Sequence, residues 1–164
     1  MNRRSFLLRS TFGLAGATAA SRLFAQAQPQ SPPAAIDKIK LTPAEWRKKL
    51  TKDQYYILRE EGTEPAGSSP LNAEKRKGTY VCAGCDLPLF KSETKYESGT
   101  GWPSFSAAIP GSVGTRVDYK IIVPRTEYHC LRCGGHQGHV FPDGPPPTGQ
   151  RYCNNGVALK FVPA

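Results

Sequence analysis

The sequence predicts a small, mainly β domain that begins with two short helices. Three observations predict it. A helix start stands at Thr42, with a second short helical run after it from Thr51 to Arg59. From Gly78 onward, short β-type runs alternate with Gly and Pro, and no long periodic helix is visible. Four of the five cysteines fall into two C-x-x-C pairs, Cys82/Cys85 and Cys130/Cys133, and a small domain can be clipped by such pairs.

The first 27 residues stand apart from the fold. Arg3-Arg4-Ser5-Phe6-Leu7 is a twin-arginine pattern, followed by the Gly/Ala-rich stretch Thr11 to Ala20 and by Ala25-Gln26-Ala27, an A-x-A cleavage site. Cleavage after Ala25 also fits. The apolar stretch is too short to span a bilayer. A disordered basic tail is the plainer alternative, but three signal elements in order favour a twin-arginine signal peptide over residues 1–27. That route exports folded proteins, so the mature chain is expected in a bacterial periplasm or secreted beyond it. Residues 28–38, rich in Pro and Gln at their start, read as a flexible linker. Residues 39–164 then make one domain.

Thr42-Pro43-Ala44-Glu45 combines a cap, a proline at the first helical position and a Glu three after the cap. It predicts a helix to about Leu50, with a second from Thr51 to Arg59. Gly62 to Asn72 reads as a long loop. Candidate strands are Thr79–Cys82, Leu87–Lys91, Gly114–Lys120, Arg125–Leu131, His139–Phe141 and Val157–Val162. The net charge of +9 falls to +5 without Arg3, Arg4, Arg9 and Arg22, since residues 1–27 carry no acid. The remaining cations are scattered apart from Lys75-Arg76-Lys77. They predict a solvated surface with no nucleic-acid footprint and no membrane partner after signal cleavage.

The cysteines divide four to one. In an oxidising compartment the paired four could form two disulfides. Each pair, however, sits in a glycine-containing knuckle, Cys82-Ala83-Gly84-Cys85 and Cys130-Leu131-Arg132-Cys133-Gly134, whose tight turn lets both sulfurs face one ion. One structural zinc ion held by Cys82, Cys85, Cys130 and Cys133 is the favoured reading. Cys153 is then free for chemistry. On an extended strand Arg151, Cys153 and Asn155 point the same way, and a guanidinium beside a thiol favours the nucleophilic thiolate. A buried inert cysteine is the alternative. His136 and His139, three apart in Gly134-Gly135-His136-Gln137-Gly138-His139, suit proton transfer, because four thiolates leave the zinc no vacancy for them. His129 reads as structural or surface. Trp102 and Phe105, set in Ser98-Gly99-Thr100-Gly101-Trp102-Pro103-Ser104-Phe105, suggest a rigid loop wall for substrate. Phe105 also fits a core aromatic, whereas Trp102 could cover a small apolar group.

These motifs, with Val140-Phe141, Asp143-Gly144-Pro145 and Arg151-Tyr152-Cys153-Asn154-Asn155, resemble in order and interval the type B methionine sulfoxide reductases, from about Thr42 to Phe161. The resemblance implies an oxidoreductase that reduces the R epimer of methionine sulfoxide, an activity tied to protein repair under oxidative stress. It implies two small antiparallel sheets with flanking N-terminal helices, Cys153 as catalytic cysteine, and His136 and His139 as the active-site histidines. It implies Asn155 and Arg151 as residues that position substrate and thiolate, Trp102 as the surface under the substrate methyl, and the four knuckle cysteines as a structural zinc site. Where many family members carry a resolving cysteine, this chain has Thr100, and no sixth cysteine replaces it. Recycling is therefore expected to use an external thiol: a thioredoxin-like or glutaredoxin-like protein, or a small thiol. A monomer is expected. Two rival readings are a non-enzymatic zinc-knuckle interaction module and a zinc hydrolase with His136 and His139 as ligands.

Overall fold

The computed structural model describes residues 36–164, so the expected signal peptide and most of the expected linker lie outside the described residues. Helix α1 spans Pro43–Lys49 and α2 spans Lys52–Glu60. Both open with the reciprocal cap that their sequences encode. The Thr42 hydroxyl accepts from the Glu45 N–H while Glu45 accepts from the Thr42 N–H, and Thr51 and Gln54 repeat the pattern. Such short helices are not stable alone. They persist because Trp46, Leu50, Ile57 and Leu58 are buried. Ile36, assigned to the linker by the sequence, already packs against this core.

The strands are β1 (Gly78–Cys82), β2 (Pro88–Lys91), β3 (Lys95–Tyr96), β4 (Ser104–Phe105), β5 (Val113–Asp118), β6 (Arg125–Cys130), β7 (His136–Phe141), β8 (Arg151–Asn154) and β9 (Leu159–Pro163). They form two antiparallel sheets, a three-stranded one in the order β2-β1-β9 and a six-stranded one in the order β3-β4-β8-β7-β6-β5. The mainly β fold with two sheets and short N-terminal helices is thus as the sequence and its resemblance implied. The differences are local. The expected strand from His139 starts at His136, because Gly138 lets the chain enter the sheet earlier. The two-residue strands β3 and β4 are too short to leave a periodic signal. The expected loop 62–72 ends in a 3-10 turn, Pro70–Asn72.

Aromatic side chains join the sheets. Phe90 of β2 stacks on Phe105 of β4 with centroids 4.2 Å apart, and Tyr80 of β1 meets the same ring edge-on at 4.9 Å. Tyr128 and Tyr152 of the larger sheet complete the cluster. Phe105 is fully buried there. Its expected place in a substrate wall is therefore corrected: a ring held between Phe90 and Tyr80 faces no solvent and lines no cleft.

A second junction is sulfur. Cys82 ends β1 in the small sheet and Cys130 ends β6 in the large one. All four paired cysteines are buried and free of disulfides, and their sulfurs lie within 4.8 Å of one another. Cys82 and Cys133 are 3.6 Å apart, Cys85 and Cys130 3.5 Å. Zinc–sulfur bonds of about 2.3 Å in a tetrahedron put the sulfurs about 3.8 Å apart, whereas a disulfide needs about 2 Å. The cluster therefore fits one tetrahedral cation and not two disulfides. The thiols also crowd one another: hydrogen bonding, chiefly with Cys130, pushes Cys133 far below and Cys82 far above the ordinary thiol range. A divalent cation accepts four thiolates without that conflict.

Candidate active site

Cys153 lies in the middle of the large sheet, between β4 and β7. It is directly opposite Ser104 on one side and His139 on the other. Directly opposed residues of an antiparallel pair share a face, with Cβ atoms about 5 Å apart. The sheet therefore delivers an imidazole to the thiol by register alone. Gly138 makes the approach possible, since a Cβ there would stand 1.9 Å from the Cys153 carbonyl oxygen. A cleft of about 130 Å³ opens over the pair, lined by Thr63, Trp102, Arg125, His139, Phe141, Cys153 and Asn155, among others.

The two histidines occupy different depths. His139 lines the cleft and donates from Nε2 to the Asp118 carboxylate at 2.7 Å, which leaves Nδ1 for a ligand. His136 is 2 % exposed, does not line the cleft, and donates from Nδ1 to buried Glu127 at 2.8 Å. The rings meet edge to face with centroids 5.5 Å apart. Each histidine is turned to its own carboxylate, an arrangement that does not bring both to one cation as the hydrolase reading requires. His129 also bonds Glu127, at 3.1 Å, in keeping with a structural role.

Arg151 shares the face of Cys153, as strand alternation predicts. Its guanidinium is forked onto Asp143 with two contacts of 2.8 Å and lies over the Phe141 ring at 4.4 Å. Arg151 pulls the Cys153 thiol toward the thiolate, as the sequence predicts. Burial pushes the Cys153 thiol above its ordinary range, and this outweighs the lowering by Arg151 and by the Thr100 hydroxyl. Burial likewise lowers the His139 imidazole, against the opposing pull of Asp118. The resting pair is accordingly a neutral thiol beside a neutral imidazole. Thr100, which stands where the resemblance expects a resolving cysteine, shares a hydrogen bond of 2.9 Å with the Ser98 hydroxyl.

Asn155 lies outside β8, which ends at Asn154. The extended-strand argument thus places it in the right cleft for a different local reason. Its Oδ1 accepts from the Glu64 N–H at 3.0 Å, and its Nδ2 donates to the Gln137 carbonyl at 3.0 Å. Both ends of the amide are engaged, and the residue is 4 % exposed. Trp102 stands across the cleft, its Nε1 donating to the Glu64 carbonyl at 3.1 Å. Glu64 is therefore the fixed point of both walls. Its own carboxylate is buried and accepts the Gly156 and Val157 N–H groups at 2.6 and 2.9 Å. Sequence reasoning missed Glu64, Thr63, Asp118 and Arg125. The only trace was an acid, Glu64, inside a Gly/Pro/Ser loop that otherwise carries none from Thr63 to Asn72.

A half-buried thiol opposed by an imidazole under a small cleft, in a cysteine-clipped β domain, defines the class of enzymes that work through a cysteine. Comparison with known proteins narrows the class. The profile described as SelR domain matches residues 50–163. A peptide methionine sulfoxide reductase MsrB of Agrobacterium fabrum is 51 % identical over 127 residues, covering 77 % of this chain and 94 % of that protein. The mitochondrial methionine-R-sulfoxide reductase B2 of Rattus norvegicus is 52 % identical over 136 residues, covering 77 % and 78 %. A peptide methionine sulfoxide reductase MsrB of Pseudomonas putida is 53 % identical over 130 residues, covering 78 % and 97 %. The chain belongs to the SelR-domain family, the type B methionine sulfoxide reductases.

Proposed function

We propose that this protein reduces the R epimer of methionine sulfoxide, free or within a polypeptide, to methionine. The activities for which the relatives are named support this reading, and the observation that carries it for this chain is the opposition of Cys153 and His139 under a cleft walled by Trp102. Because the thiol and imidazole are both neutral at rest, His139 Nδ1 takes the Cys153 proton as Sγ attacks the sulfoxide sulfur. It returns that proton to the sulfoxide oxygen as the sulfur–oxygen bond breaks, and the hydroxide so formed attacks Sγ, breaking the new sulfur–sulfur bond. The substrate sulfur gains two electrons and leaves as a thioether. Sγ loses two and ends as a sulfenic acid bearing the oxygen. Trp102 supplies an apolar face for the substrate methyl. Arg151, tied to Asp143, keeps the site polar, and Asn155 holds the cleft wall. Zinc on the four knuckle cysteines fits their geometry and would fasten the two sheets together, with no part in the reaction.

The other four cysteines belong to the buried cluster, and Thr100 offers no thiol, so an external thiol condenses with the sulfenic acid, losing water to form a mixed disulfide, and a second thiol or the other arm of the same dithiol then displaces Cys153 as a thiol and leaves as the disulfide. A thioredoxin-like protein fits this step. The twin-arginine pattern and A-x-A site support export to the periplasm after folding, over a domain plan of 1–27, 28–38 and 39–164. Mass spectrometry after a single turnover without reductant tests the scheme. Dimedone-trapped sulfenic acid on Cys153 is expected; an intramolecular disulfide involving Cys153 contradicts external recycling.

A further inference from the structure

Six large apolar side chains are half-exposed or more among the described residues, and five of them lie from Val117 to Val123. Val117 is 55 % exposed, Tyr119 74 %, Ile121 50 %, Val123 67 %, and Ile122 projects fully into solvent. These residues form the tip that joins β5 to β6. Apolar exposure concentrated in one short segment marks a contact surface more often than scattered exposure does. The tip is fixed relative to the cleft. Asp118, at its base, accepts from His139 Nε2 and from Arg125, both at 2.7 Å, and from the Lys120 N–H at 2.8 Å. Arg125 and His139 line the cleft. The hairpin that holds the catalytic imidazole therefore continues, within a few residues, into an apolar ledge at the cleft rim.

We propose that this ledge binds the apolar residues flanking an oxidised methionine in an extended polypeptide. The inference rests on the reading of the cleft as a methionine sulfoxide site and names the kind of substrate segment that site takes. The cleft, at about 130 Å³, holds about one side chain, so the residues on either side of a bound methionine sulfoxide must lie on the rim. The charges beside the ledge are already matched: Arg116 and Lys120 pair with Glu61, and Arg125 pairs with Asp118. What remains for a partner is apolar surface with neutralised flanks, which suits an apolar peptide segment and gives little purchase to an anionic membrane or nucleic acid.

The test compares the whole chain with the triple variant Ile121→Ser, Ile122→Ser, Val123→Ser, whose changes lie on exposed positions outside the catalytic residues. Three substrates are used with dithiothreitol: an acetylated methionine sulfoxide amide, a peptide with apolar flanks, and one of equal length with Ser and Gln flanks. The variant is expected to raise KM for the apolar peptide about tenfold, with kcat and the other two substrates unchanged. Equal loss on all three substrates would overturn the proposal, because the tip would then act only by holding His139. An unchanged KM for the apolar peptide would also overturn it, as would a defect seen only when a thioredoxin-type protein replaces dithiothreitol in a parallel assay, which would assign the ledge to the reductant instead. Binding of the apolar peptide to both chains in a Cys153→Ser background, read by fluorescence anisotropy, separates this from failure of the site reading. If neither chain turns over the small amide, the tip is still judged by whether its variant binds the peptide about tenfold more weakly or equally well.

Discussion

Strand register sets Cys153 and His139 opposite each other on one cleft, and their opposite displacements in acidity bear on how they work together. Burial raises the thiol above its ordinary value of 9.0 and lowers the imidazole below 6.5. Between those limits the pair is uncharged, and one proton is available to travel from sulfur to sulfoxide oxygen. With His139 as the carrier, kcat/KM falls as pH drops through a value below 6.5, since a protonated imidazole cannot accept from the thiol. It stays level toward pH 9. Replacing His139 by Asn is expected to lower kcat/KM by about 10²- to 10⁴-fold and to remove the acid limb, leaving a rate that climbs with pH as Cys153 ionises unaided. His136→Asn is expected to cost less and to keep the limb, because His136 stands behind His139 and not in the cleft. Stopped-flow rates across pH 5 to 10 check both; an acid limb that survives in His139→Asn contradicts this assignment.

Strands β7 and β8 carry the site, and their contact depends on one missing side chain. A Cβ at residue 138 would meet the Cys153 carbonyl oxygen at 1.9 Å, so the neighbouring strand would have to move. Gly138→Ala is expected to destabilise the domain by about 2 kcal/mol or more and to cut activity beyond what the lost stability explains. Urea midpoints with activity on the folded fraction check this, and full activity of the folded fraction contradicts it. The same strands show what the sequence made legible. The first helix was readable because Thr42/Glu45 is a local signal, closed within four residues; the Thr51/Gln54 box that opens the second is as local and was not read. The zinc cysteines and the residues around Cys153 were readable because their spacing is local as well. The depth difference between His136 and His139 was not, because it depends on Glu127 and Asp118 from two other strands. Glu64 was invisible for the same reason: it acts across 91 residues on Asn155 and across 38 on Trp102. Phe105 fits a loop wall in sequence, and only the stacking ring of Phe90 from the other sheet takes it into the core.

Across the whole molecule, two sheets of unequal size are joined by one aromatic cluster and one sulfur cluster, and the cleft sits on the larger sheet away from the sulfurs. Four buried thiolates without a cation would repel one another, so metal binding is coupled to docking of the sheets. Removal of zinc by a chelator under mild denaturant is expected to lower Tm by on the order of 10 °C or more, with activity lost only as the protein unfolds. Calorimetry with parallel assays checks this; activity lost at once in a chain that stays folded would point to a catalytic metal. The central claim is that Cys153, set opposite His139, reduces one sulfoxide epimer. It is tested most directly by turnover of separated R and S methionine sulfoxide peptides with dithiothreitol, in the native chain and in Cys153→Ser with zinc retained. The account predicts reduction of the R epimer alone, abolished by the serine. Reduction of the S epimer, or activity that survives the loss of Cys153, would contradict it.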